Sequence, residues 1–573
     1  MPAVRLGRIH LRWCCSCNLP VLESGKCGVC DSDTFPVAVT PPGDARPAFE
    51  CDVLRVRATT DAQFGTGCGA ALVPDGKLAL LNRVPALDAM DEVIVDGEPV
   101  AMMRFDPGQG WKMLLRMPGA RRIAKIATKS FVVIDDGAVG PMLKGASAMA
   151  VGVLNCDPAI APGDEVLVVT KDKLALSVGT SRMPGSGMVG GRGPAVKNRW
   201  AEVPTEPKIL PAGQTWANAV KASRKALDKR RATARKFITG LVNRGKPIAV
   251  SFSGGKDSLA VLLLALESGL EPPMIFVDTG IELPETVAHV HDVAAKYGLE
   301  LVEERAPDSF WNGMSHFGPP AKDFRWCCKT CKLGPTSRII RRRFPGGVLS
   351  LIGQRRYESE QRSKKGSVWM NPWVPGQDAA SPIQEWTALH VWLYIFQQGA
   401  PYNVWYERGM PRIGCWTCPS ADLADVEAMR VQYNGYGRYT EELKRFASEN
   451  GYPDDWVKLG LWRWKDGAPQ EMAALCKGPM RGEAKPRAEK AMTDEEKARV
   501  AEMLFITDGS AESLDGKKLV VKALHCQACG ICVARCAEGA LELRGGKVRL
   551  DVDKCKKCLV CMSPCPVADF EPR

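Results

Sequence analysis

The chain has 573 residues, too many for one hydrophobic core, so we expect roughly three to five domains. Apolar residues make up 45% of it, which indicates a globular protein, and a net charge of +12 is too small to identify a partner. The sequence lacks an apolar run of about 18 residues and an initial signal pattern, so we expect a soluble, cytoplasmic protein without membrane contact. The 22 cysteines fall mostly in Cys-x2-Cys clusters, which favour metal or iron–sulfur sites over disulfides.

Residues 1–50 carry two cysteine knuckles, Cys14-x2-Cys17 and Cys27-x2-Cys30. Four thiolates at this spacing suit a tetrahedral zinc site, and so short a segment needs a metal in order to fold. Cys15 is left over and could replace a neighbour in the first knuckle. The pattern therefore predicts a zinc ribbon, with a rubredoxin-like iron as the alternative.

Residues 51–128 show no catalytic pattern and are predicted to form a small α/β adaptor. The next segment, 129–205, resembles a PUA domain, a compact β-barrel that usually binds structured RNA. The resemblance lies in Asp136-Gly137, in Leu143-Lys144-Gly145 and in the turn at 162–166. It implies tRNA as a partner, and a purely structural role is the alternative.

Residues 206–246 are predicted to be a basic helical connector to the next domain. Between positions 221 and 236 a single acidic residue, Asp228, stands against eight basic residues. Such a run on a helix could follow an RNA backbone, or it could be a solvated linker face. The eight are Lys221, Arg224, Lys225, Lys229, Arg230, Arg231, Arg235 and Lys236.

A nucleotide phosphate site is predicted at 253–258, where an apolar strand pattern runs into a glycine turn and a helix start. The motif is Ser253, Gly254, Gly255, Lys256, Asp257 and Ser258. The glycines let backbone N–H groups approach an anion, Lys256 adds a positive charge, and Ser258 caps a helix whose positive dipole end faces the phosphates. The spacing is not that of a Walker loop. An ordinary turn between strand and helix is the alternative.

The catalytic domain is predicted to span 247–475 and to make the protein a multidomain α/β structure around a doubly wound parallel sheet. The strand candidates are 248–253, 274–277, 299–303 and 348–352. Ligands of such sheets bind beyond the carboxyl ends of the strands, where the 253–258 loop and Asp278 both fall. Asp278 is therefore predicted to hold a ribose or a metal, with Glu282 and Glu285 beside it.

A charged linker, 476–517, contains a helix capping box, Thr493-x2-Glu496, and leads to a C-terminal domain at 518–573. This domain has the bacterial two-cluster ferredoxin pattern, in which each cysteine run lends its fourth cysteine to the other cluster. The predicted ligands of the first [4Fe-4S] cluster are Cys526, Cys529, Cys532 and Cys565, and those of the second are Cys555, Cys558, Cys561 and Cys536. An external electron donor to this domain is implied.

Five more cysteines lie inside the catalytic domain, as Cys327-Cys328-x2-Cys331 and Cys415-x2-Cys418. They resemble the cluster motif of the adenylyl-sulfate reductase branch of the phosphoadenylyl-sulfate (PAPS) reductase family, within the PP-loop adenine nucleotide α-hydrolase superfamily. Five motifs follow the family order. They are the loop 253–258, Asp278-x3-Glu282-x2-Glu285, Gly353-x-Arg355-Arg356-x5-Arg362, Pro382-x3-Trp386-x3-His390 and Gly414-Cys415-x2-Cys418.

The resemblance implies an archaeal-type multidomain protein that binds ATP or an adenylyl sulfate. It implies a third [4Fe-4S] cluster, with ligands Cys327, Cys328, Cys415 and Cys418. Guanidinium forks suit phosphate or sulfate oxygens, so the nucleotide-binding set extends to Gly353, Arg355, Arg356 and Arg362. Surface salt bridges are the alternative role for Arg356 or Arg362 taken singly.

The chain departs from the family in three ways. The glycine loop is intact, although the reductases usually have it degraded because they break no ATP bond. The reductases' Glu-Cys-Gly-Leu-His tail is missing, and His390 replaces the usual aspartate. Cys331, beside Lys329, Lys332 and Arg338, is a candidate low-pKa nucleophile or else a structural thiol. Cys476 is a second candidate, and a three-ligand cluster that carries sulfide is another possibility.

These features predict an enzyme that reduces the sulfur of an adenylyl sulfate with electrons from its own ferredoxin domain. Its predicted catalytic residues are Lys256, Asp257, Ser258 and Cys331. The alternative is an ATP-dependent RNA thiolase that releases pyrophosphate and holds tRNA through its PUA domain. A non-enzymatic, RNA-binding electron carrier is the third reading. The pattern leaves the oligomeric state open.

Overall fold

The computed structural model describes residues 5–306, 308–476, 492–563 and 565–569. Within these ranges the strands form five sheets, each in a different module of the chain. The fold is a multidomain α/β fold, as predicted. No helix of the described ranges is long and apolar enough to cross a membrane.

The first module is a three-stranded antiparallel sheet in the order β2-β1-β3. Its strands are β1 (Leu11–Cys14), β2 (Leu19–Leu22) and β3 (Phe35–Pro36). Trp13 and Val21 are fully buried between these strands and the neighbouring modules. The strands therefore have an apolar core of their own beside the cysteine knuckles.

The adaptor is a five-stranded antiparallel sheet in sequential order, covered by helices. Its elements are β4 (Arg46–Pro47), α1 (Glu50–Phe64), α2 (Cys68–Leu72), β5 (Ala79–Arg83), β6 (Met90–Val95), β7 (Glu98–Asp106), β8 (Gly110–Leu115) and α3 (Met117–Ile123). Its sheet begins at Arg46, inside the predicted 1–50 segment, because Arg46 pairs with Leu81 of β5.

The third module is a six-stranded sheet in the order β10-β14-β13-β12-β9-β11. Its elements are β9 (Phe131–Ile134), α4 (Asp136–Leu143), β10 (Ala148–Met149), β11 (Val153–Cys156), β12 (Glu165–Val169), β13 (Ala175–Ser181) and β14 (Pro194–Ala201). The connector follows as α5 (Trp216–Ala222) and α6 (Arg224–Val242), with Thr215 capping the first. The connector is helical, as predicted.

The central sheet has the order β17-β16-β15-β18-β20-β19, and all its strands are parallel except β19. The strands are β15 (Ile248–Ser251), β16 (Met274–Asp278), β17 (Leu301–Arg305), β18 (Val348–Ile352), β19 (Val368–Met370) and β20 (Gln377–Ala380). The first four match the predicted strands. After β15 the chain adds β16 and β17 on one side of it. The chain then crosses to the other side of β15 and adds β18, as in a doubly wound fold.

In the described part of the chain, ten helices occur between positions 256 and 473. They are α7 (Lys256–Glu267), α8 (Pro284–Tyr297), α9 (Ser309–Phe317), α10 (Gly334–Arg343), α11 (Glu360–Ser363), α12 (Ala388–Gln398), α13 (Leu423–Gln432), α14 (Tyr436–Glu449), α15 (Asp454–Lys458) and α16 (Gln470–Ala473). A π-helical turn, Cys328–Leu333, precedes α10. Such turns are rare and often occur at functional sites.

The C-terminal part contains α17 (Asp494–Leu504), α18 (Leu514–His525), α19 (Ile531–Arg535), β21 (Leu541–Arg544), β22 (Lys547–Leu550) and α20 (Pro566–Asp569). The predicted capping box is confirmed, since Glu496 N donates to Thr493 Oγ1 at 3.2 Å and Thr493 N donates to Glu496 Oε2 at 2.8 Å. Residues 477–491 of the predicted linker lie outside the described ranges.

Candidate functional site

The 253–258 loop joins β15 to α7, as its sequence predicts. Gly254 has a φ of +73°, and a Cβ there would lie 2.8 Å from Thr286 Cγ2, so both conformation and space require glycine. Ser258 Oγ donates to the Gly255 carbonyl at 2.8 Å and fixes the turn. Tyr406 Oη accepts from the Lys256 N–H at 2.9 Å. The loop is thus held rigid at the start of α7.

The loop lies at the point where the strand order reverses, between β15 and β18. Gly353, just after β18, lies so close to α7 that a Cβ would be 2.5 Å from the Asp257 carbonyl carbon and 2.6 Å from Ser258 N. In open α/β sheets ligands bind at this switch point. The fold therefore brings the predicted loop and the start of the predicted arginine block together.

A chain of four charged side chains crosses the site. Lys256 Nζ donates to Asp257 Oδ2 at 2.6 Å, and Arg355 Nε donates to Asp257 Oδ1 at 2.6 Å. Arg355 Nη1 also donates to Asp44 Oδ1 at 2.8 Å. Arg355 is only 3% exposed, so the two carboxylates balance a buried guanidinium. The nucleotide-binding role of Arg355 stays a prediction, because phosphate would have to share it with these carboxylates.

The other arginines of the block are also paired with carboxylates. Arg356 Nη1 lies 2.8 Å from each Glu385 oxygen, and Arg362 pairs with Glu358. Both arginines are partly or fully exposed and can change partner. Their role as nucleotide ligands also stays a prediction.

Asp278 ends β16 on the same edge of the sheet. Its Oδ1 accepts from the Gly280 N–H at 3.0 Å, which shapes the turn toward Glu282. His390, in place of the family's aspartate, is fully buried, and its Nε2 lies 3.0 Å from Glu23 Oε1 of the first module. A carboxylate is thus supplied at this point from outside the catalytic domain.

Cys415 of the catalytic domain lies beside Glu282. Cys415 Sγ donates to Glu282 Oε1 at 3.5 Å, and burial raises the pKa of this carboxyl group. Arg325 Nη2 donates to Cys328 Sγ at 3.5 Å. A hydrogen bond from Cys327 and then the Arg325 charge lower the pKa of Cys328 to about 5, against the effect of burial. Arg325 therefore places a positive charge beside Cys328, whereas Cys415 lies beside a carboxyl group.

The burial and the pKa of Cys331 differ from those that the sequence predicts for a nucleophilic thiol. It is 1% exposed, and burial raises its pKa to about 12. Two of the cations expected to activate it are engaged elsewhere: Arg338 Nε donates to Glu304 at 2.9 Å, and Lys329 lies over the Trp373 ring. The lowered pKa belongs to Cys328 instead. A nucleophilic role for Cys331 would require the Cys331 thiol to leave its buried position.

The N-terminal cysteines form a compact set. The sulfurs of Cys14, Cys17, Cys27 and Cys30 all lie within 4.8 Å of one another. Cys15 is outside this set and accepts a hydrogen bond from Lys208 Nζ at 3.2 Å. Four convergent thiolates suit one tetrahedral zinc ion, and these residues therefore fit the predicted metal.

The C-terminal cysteines lie close to one another. One small cavity is lined by Cys536, Cys555, Cys558 and Cys561. Cys565 lies close enough to Cys526, Cys529 and Cys532 for their charges to raise one another's pKa values, in addition to burial. The residues fit the exchange of the fourth cysteine between the runs.

The C-terminal module packs directly against the catalytic cysteines. A Cβ on Gly334 would lie 2.4 Å from the Cys529 carbonyl oxygen. Arg338 Nη1 donates to the carbonyls of Ala528 and Cys529 at 2.9 and 2.8 Å. Cys565 shares an apolar core with Cys331. The first C-terminal cysteine set therefore borders the helix that carries Cys331.

Sequence reasoning missed three residues of these sites: Asp44, Tyr406 and Arg325. Asp44 and Tyr406 come from segments with no motif and reach the loop only through the tertiary fold. Arg325 could have been found, since it stands two residues before Cys327.

Comparison with known proteins agrees with this architecture. The phosphoadenosine phosphosulfate reductase domain family matches residues 247–421, and the PUA domain family matches residues 131–199. The uncharacterized protein MJ0066 of Methanocaldococcus jannaschii is 34% identical over 475 residues, 80% of this chain and 97% of that protein. An adenosine 5'-phosphosulfate reductase of Geobacillus kaustophilus is 27% identical over 191 residues, 32% of this chain and 79% of that enzyme. The phosphoadenylyl-sulfate reductase structure from Candida auris is 21% identical and covers 34% of this chain and 97% of that one, with a TM-score of 0.27.

The fold and the phosphate-binding loop define a PP-loop enzyme domain that uses adenine nucleotides. The chain belongs to the same family as MJ0066 and carries a phosphoadenosine phosphosulfate reductase domain beside a PUA domain. Its cysteine-rich N-terminal and C-terminal regions fit a zinc ribbon and a ferredoxin domain.

Proposed function

We propose that this protein reduces the sulfur of an adenylyl sulfate, with or without a 3′-phosphate, using electrons from its own ferredoxin domain. The observation that carries the proposal is the contact of Cys529 with Gly334, which sets a ferredoxin cysteine against the helix following the catalytic cysteines. A ferredoxin on the same chain would replace a separate reductant.

The reaction consumes two electrons. The bond between the sulfur and the nucleotide phosphate oxygen breaks, sulfate sulfur becomes sulfite, and AMP leaves with that oxygen. A low-potential one-electron donor must reload the ferredoxin domain after each turnover. Lys256 and the N–H groups of the loop would hold the phosphate, while Asp257 orients Lys256 and Ser258 fixes the loop. In this proposal the Cys331 thiolate attacks the sulfur as the bond to the phosphate oxygen breaks, and the two electrons then cleave the new sulfur–sulfur bond, which releases sulfite and restores the thiolate.

The proposed cofactors are three [4Fe-4S] clusters and one zinc ion. Cluster sites would be formed by the two C-terminal sets and by Cys327, Cys328, Cys415 and Cys418. A full complement corresponds to about twelve irons per chain. Eight irons would mean that the catalytic cysteines hold something else.

The second candidate is an ATP-dependent RNA thiolase. It is favoured by the intact 253–258 loop and by the connector helix α6, whose basic residues Lys225, Lys229, Arg235 and Lys236 project into solvent. Exposed cations along one helix suit an RNA backbone, and the PUA domain would bind the same RNA. In this case ATP would be cleaved to AMP and pyrophosphate.

One set of assays on the anaerobically reconstituted protein distinguishes the two proposed activities. With adenylyl sulfate and reduced methyl viologen we expect sulfite and no effect of RNA. Pyrophosphate release from ATP that bulk tRNA stimulates would refute the reductase and establish the thiolase. Lys256→Ala and Ser258→Ala should abolish either activity, whereas Lys364→Ala, an exposed residue paired with Glu360, should retain it. Full activity in both loop variants would refute the site itself.

A further inference from the structure

Tyr406 places a hydroxyl group against the nucleotide loop from another part of the chain. The tyrosine ends a short 3₁₀ turn, Val404–Tyr406, and is 2% exposed. Its Oη accepts from the Lys256 N–H at 2.9 Å. In the described part of the chain the hydroxyl proton itself has no acceptor. A buried tyrosine hydroxyl can both accept and donate, so this proton is free to bind a ligand of the loop.

The hydroxyl lies beside Gly255, on the surface of the loop that the glycines leave open to an anion. The atoms nearest to a Cβ on Gly255 would be Tyr406 Oη at 3.4 Å, Ser253 Oγ at 3.7 Å and Ile413 Cβ at 3.8 Å. The loop's own hydroxyls are engaged with each other and with the backbone. Ser258 Oγ donates to the Gly255 carbonyl at 2.8 Å and lies 3.4 Å from Ser253 Oγ. Tyr406 therefore brings an unused donor to this surface.

The turn that carries the tyrosine is anchored to the start of α8. Trp405 Nε1 donates to Glu285 Oε2 at 3.1 Å, and Asn403 Nδ2 donates to Thr286 Oγ1 at 2.9 Å. Thr286 also packs against the loop, since a Cβ on Gly254 would lie 2.8 Å from Thr286 Cγ2. One helix start thus holds both the loop and the turn, and the hydroxyl is preorganised at the loop.

The Tyr406 hydroxyl keeps its proton. Burial raises the pKa of Tyr406 far above its usual value, and the Asp257 carboxylate raises it further. The ring packs edge-to-face against Trp392, with 4.8 Å between the ring centres. The side chain is therefore a fixed, neutral hydrogen-bond donor near neutral pH.

We infer that Tyr406 is a further phosphate-binding residue, which accepts from the Lys256 N–H and donates to an oxygen of a nucleotide phosphate held at the 253–258 loop. The hydroxyl would then join the phosphate to the loop backbone through one oxygen atom. The inference rests on phosphate binding at this loop, which both proposed activities need, and on neither reaction.

The test is calorimetric titration of the anaerobically reconstituted full chain with AMP. Tyr406→Phe removes only the hydroxyl and should weaken AMP binding at least about tenfold, because a hydrogen bond to a charged group is lost. Adenosine, which lacks the phosphate, should bind the variant and the native chain equally. The matched control is Tyr402→Phe. It removes a hydroxyl that donates to Glu407 at 2.8 Å from a ring that also contacts Trp392, and it should leave AMP binding unchanged.

Hydrogen exchange of the ligand-free chain distinguishes contact with the phosphate from support of the loop. Tyr406→Phe should speed exchange at one amide of the loop, the Lys256 N–H that loses its acceptor. Faster exchange at several amides of 253–258 would mean that the tyrosine only supports the loop, and would overturn the inference.

The binding data can also overturn it. A similar loss of adenosine binding, or unchanged AMP binding, would show that the hydroxyl does not contact the phosphate. Tighter AMP binding would mean that the hydroxyl competes with the phosphate for the Lys256 N–H. If the native chain does not bind AMP, the inference and the proposed function both fail. Weaker AMP binding by Tyr406→Phe, in a protein that does not reduce adenylyl sulfate, would support the inference and refute the proposed reductase.

Discussion

Gly353 has no Cβ, and this allows the loop after β18 to lie against the loop at 253–258. Its Cα rests against the first turn of α7, and its backbone does not require a positive φ, so alanine is excluded only by space. Gly353→Ala would push Asp257 and Ser258 aside and should weaken binding of AMP at least about tenfold, or about 1.4 kcal/mol. Calorimetric titration of the full chain measures this loss.

The control for this substitution is Gly366→Ala. A Cβ on Gly366 would meet Val368 O at 3.7 Å, an ordinary contact, so AMP binding should be unchanged. Equal affinities of the two variants would show that the tight approach at Gly353 does not shape the site.

Asp44 is the residue through which the N-terminal part of the chain reaches the nucleotide loop. It accepts from Arg355 and also from the Ala388 N–H at 2.6 Å, which caps α12. Asp44→Asn removes one of two charges that balance a buried guanidinium. It should lower the free energy of unfolding by about 1.5–3 kcal/mol, the usual value of a hydrogen bond to a charged group. Thermal unfolding of the full chain measures the change.

The matched control is Asp33→Asn in the same region. Asp33 pairs with Lys26 on the surface, where an ion pair contributes little. A stability loss at Asp33 as large as that at Asp44 would contradict a special role for Asp44.

At the scale of elements, we expect zinc binding to the four-sulfur set to stabilise the N-terminal module more than its small core does. Cys30 belongs to the compact four-sulfur set, whereas Cys15 does not. Cys30→Ser should therefore lose the zinc and increase hydrogen exchange in β1 and β2, since zinc binding supplies much of the folding energy of such modules. Cys15→Ser should keep one zinc per chain and native exchange. Metal analysis with exchange mass spectrometry distinguishes the two, and zinc loss from both variants would mean that Cys15 is a ligand.

The strands that could be predicted are those with their own apolar signal. Strands β15, β16 and β18 are buried runs of branched residues, and the glycine loop follows the first of them. Strand β20 has the sequence Gln-Asp-Ala-Ala, which carries no strand pattern and pairs with β18 only because the fold places it there. The π-helical turn at Cys328–Leu333 likewise has no local sequence signal.

The residues of the candidate site could be predicted where they belong to one sequence motif. They could not be predicted where they come from different modules. Cysteine spacing predicts the exchange of Cys536 and Cys565 between sets, because this exchange is part of the ferredoxin pattern. Asp44 and Arg355 are 311 positions apart, and a buried ion pair at that separation has no signature in one sequence. The buried state of Cys331 was missed for the same reason, since neighbouring lysines in the chain do not reveal the packing around a thiol.

At the scale of the whole molecule, buried charges join the modules. Glu23 of the N-terminal part accepts from Arg230 of the connector at 2.7 Å and contacts His390 of the catalytic domain. Arg83 of the adaptor pairs with Asp91 and with Asp422. These contacts need exact placement of several groups, so they hold the modules in a fixed relation that apolar contacts alone would leave less specific.

A fully buried ion pair joins the adaptor to the catalytic domain at Asp88 and Arg463. Arg463 is fully buried, and its Nη2 lies 3.2 Å from Asp88 Oδ2. Asp88 also accepts from the N–H groups of Leu423 and Ala424 at 2.9 and 3.1 Å, at the start of α13. Arg463→Met would leave the Asp88 carboxylate buried without its countercharge. It should lower the free energy of unfolding by about 3–5 kcal/mol.

Thermal unfolding of the full chain tests this cost against Arg445→Met, which removes an exposed arginine paired with Glu442 and Glu449 on α14. The control should lose less than about 1 kcal/mol, as is usual for surface pairs. The double variant Asp88→Asn with Arg463→Met should lose less than the sum of the two single changes, because the second change removes the uncompensated charge that the first one leaves. Additive losses would mean that the two side chains stabilise their own domains separately and do not couple the adaptor to the catalytic domain.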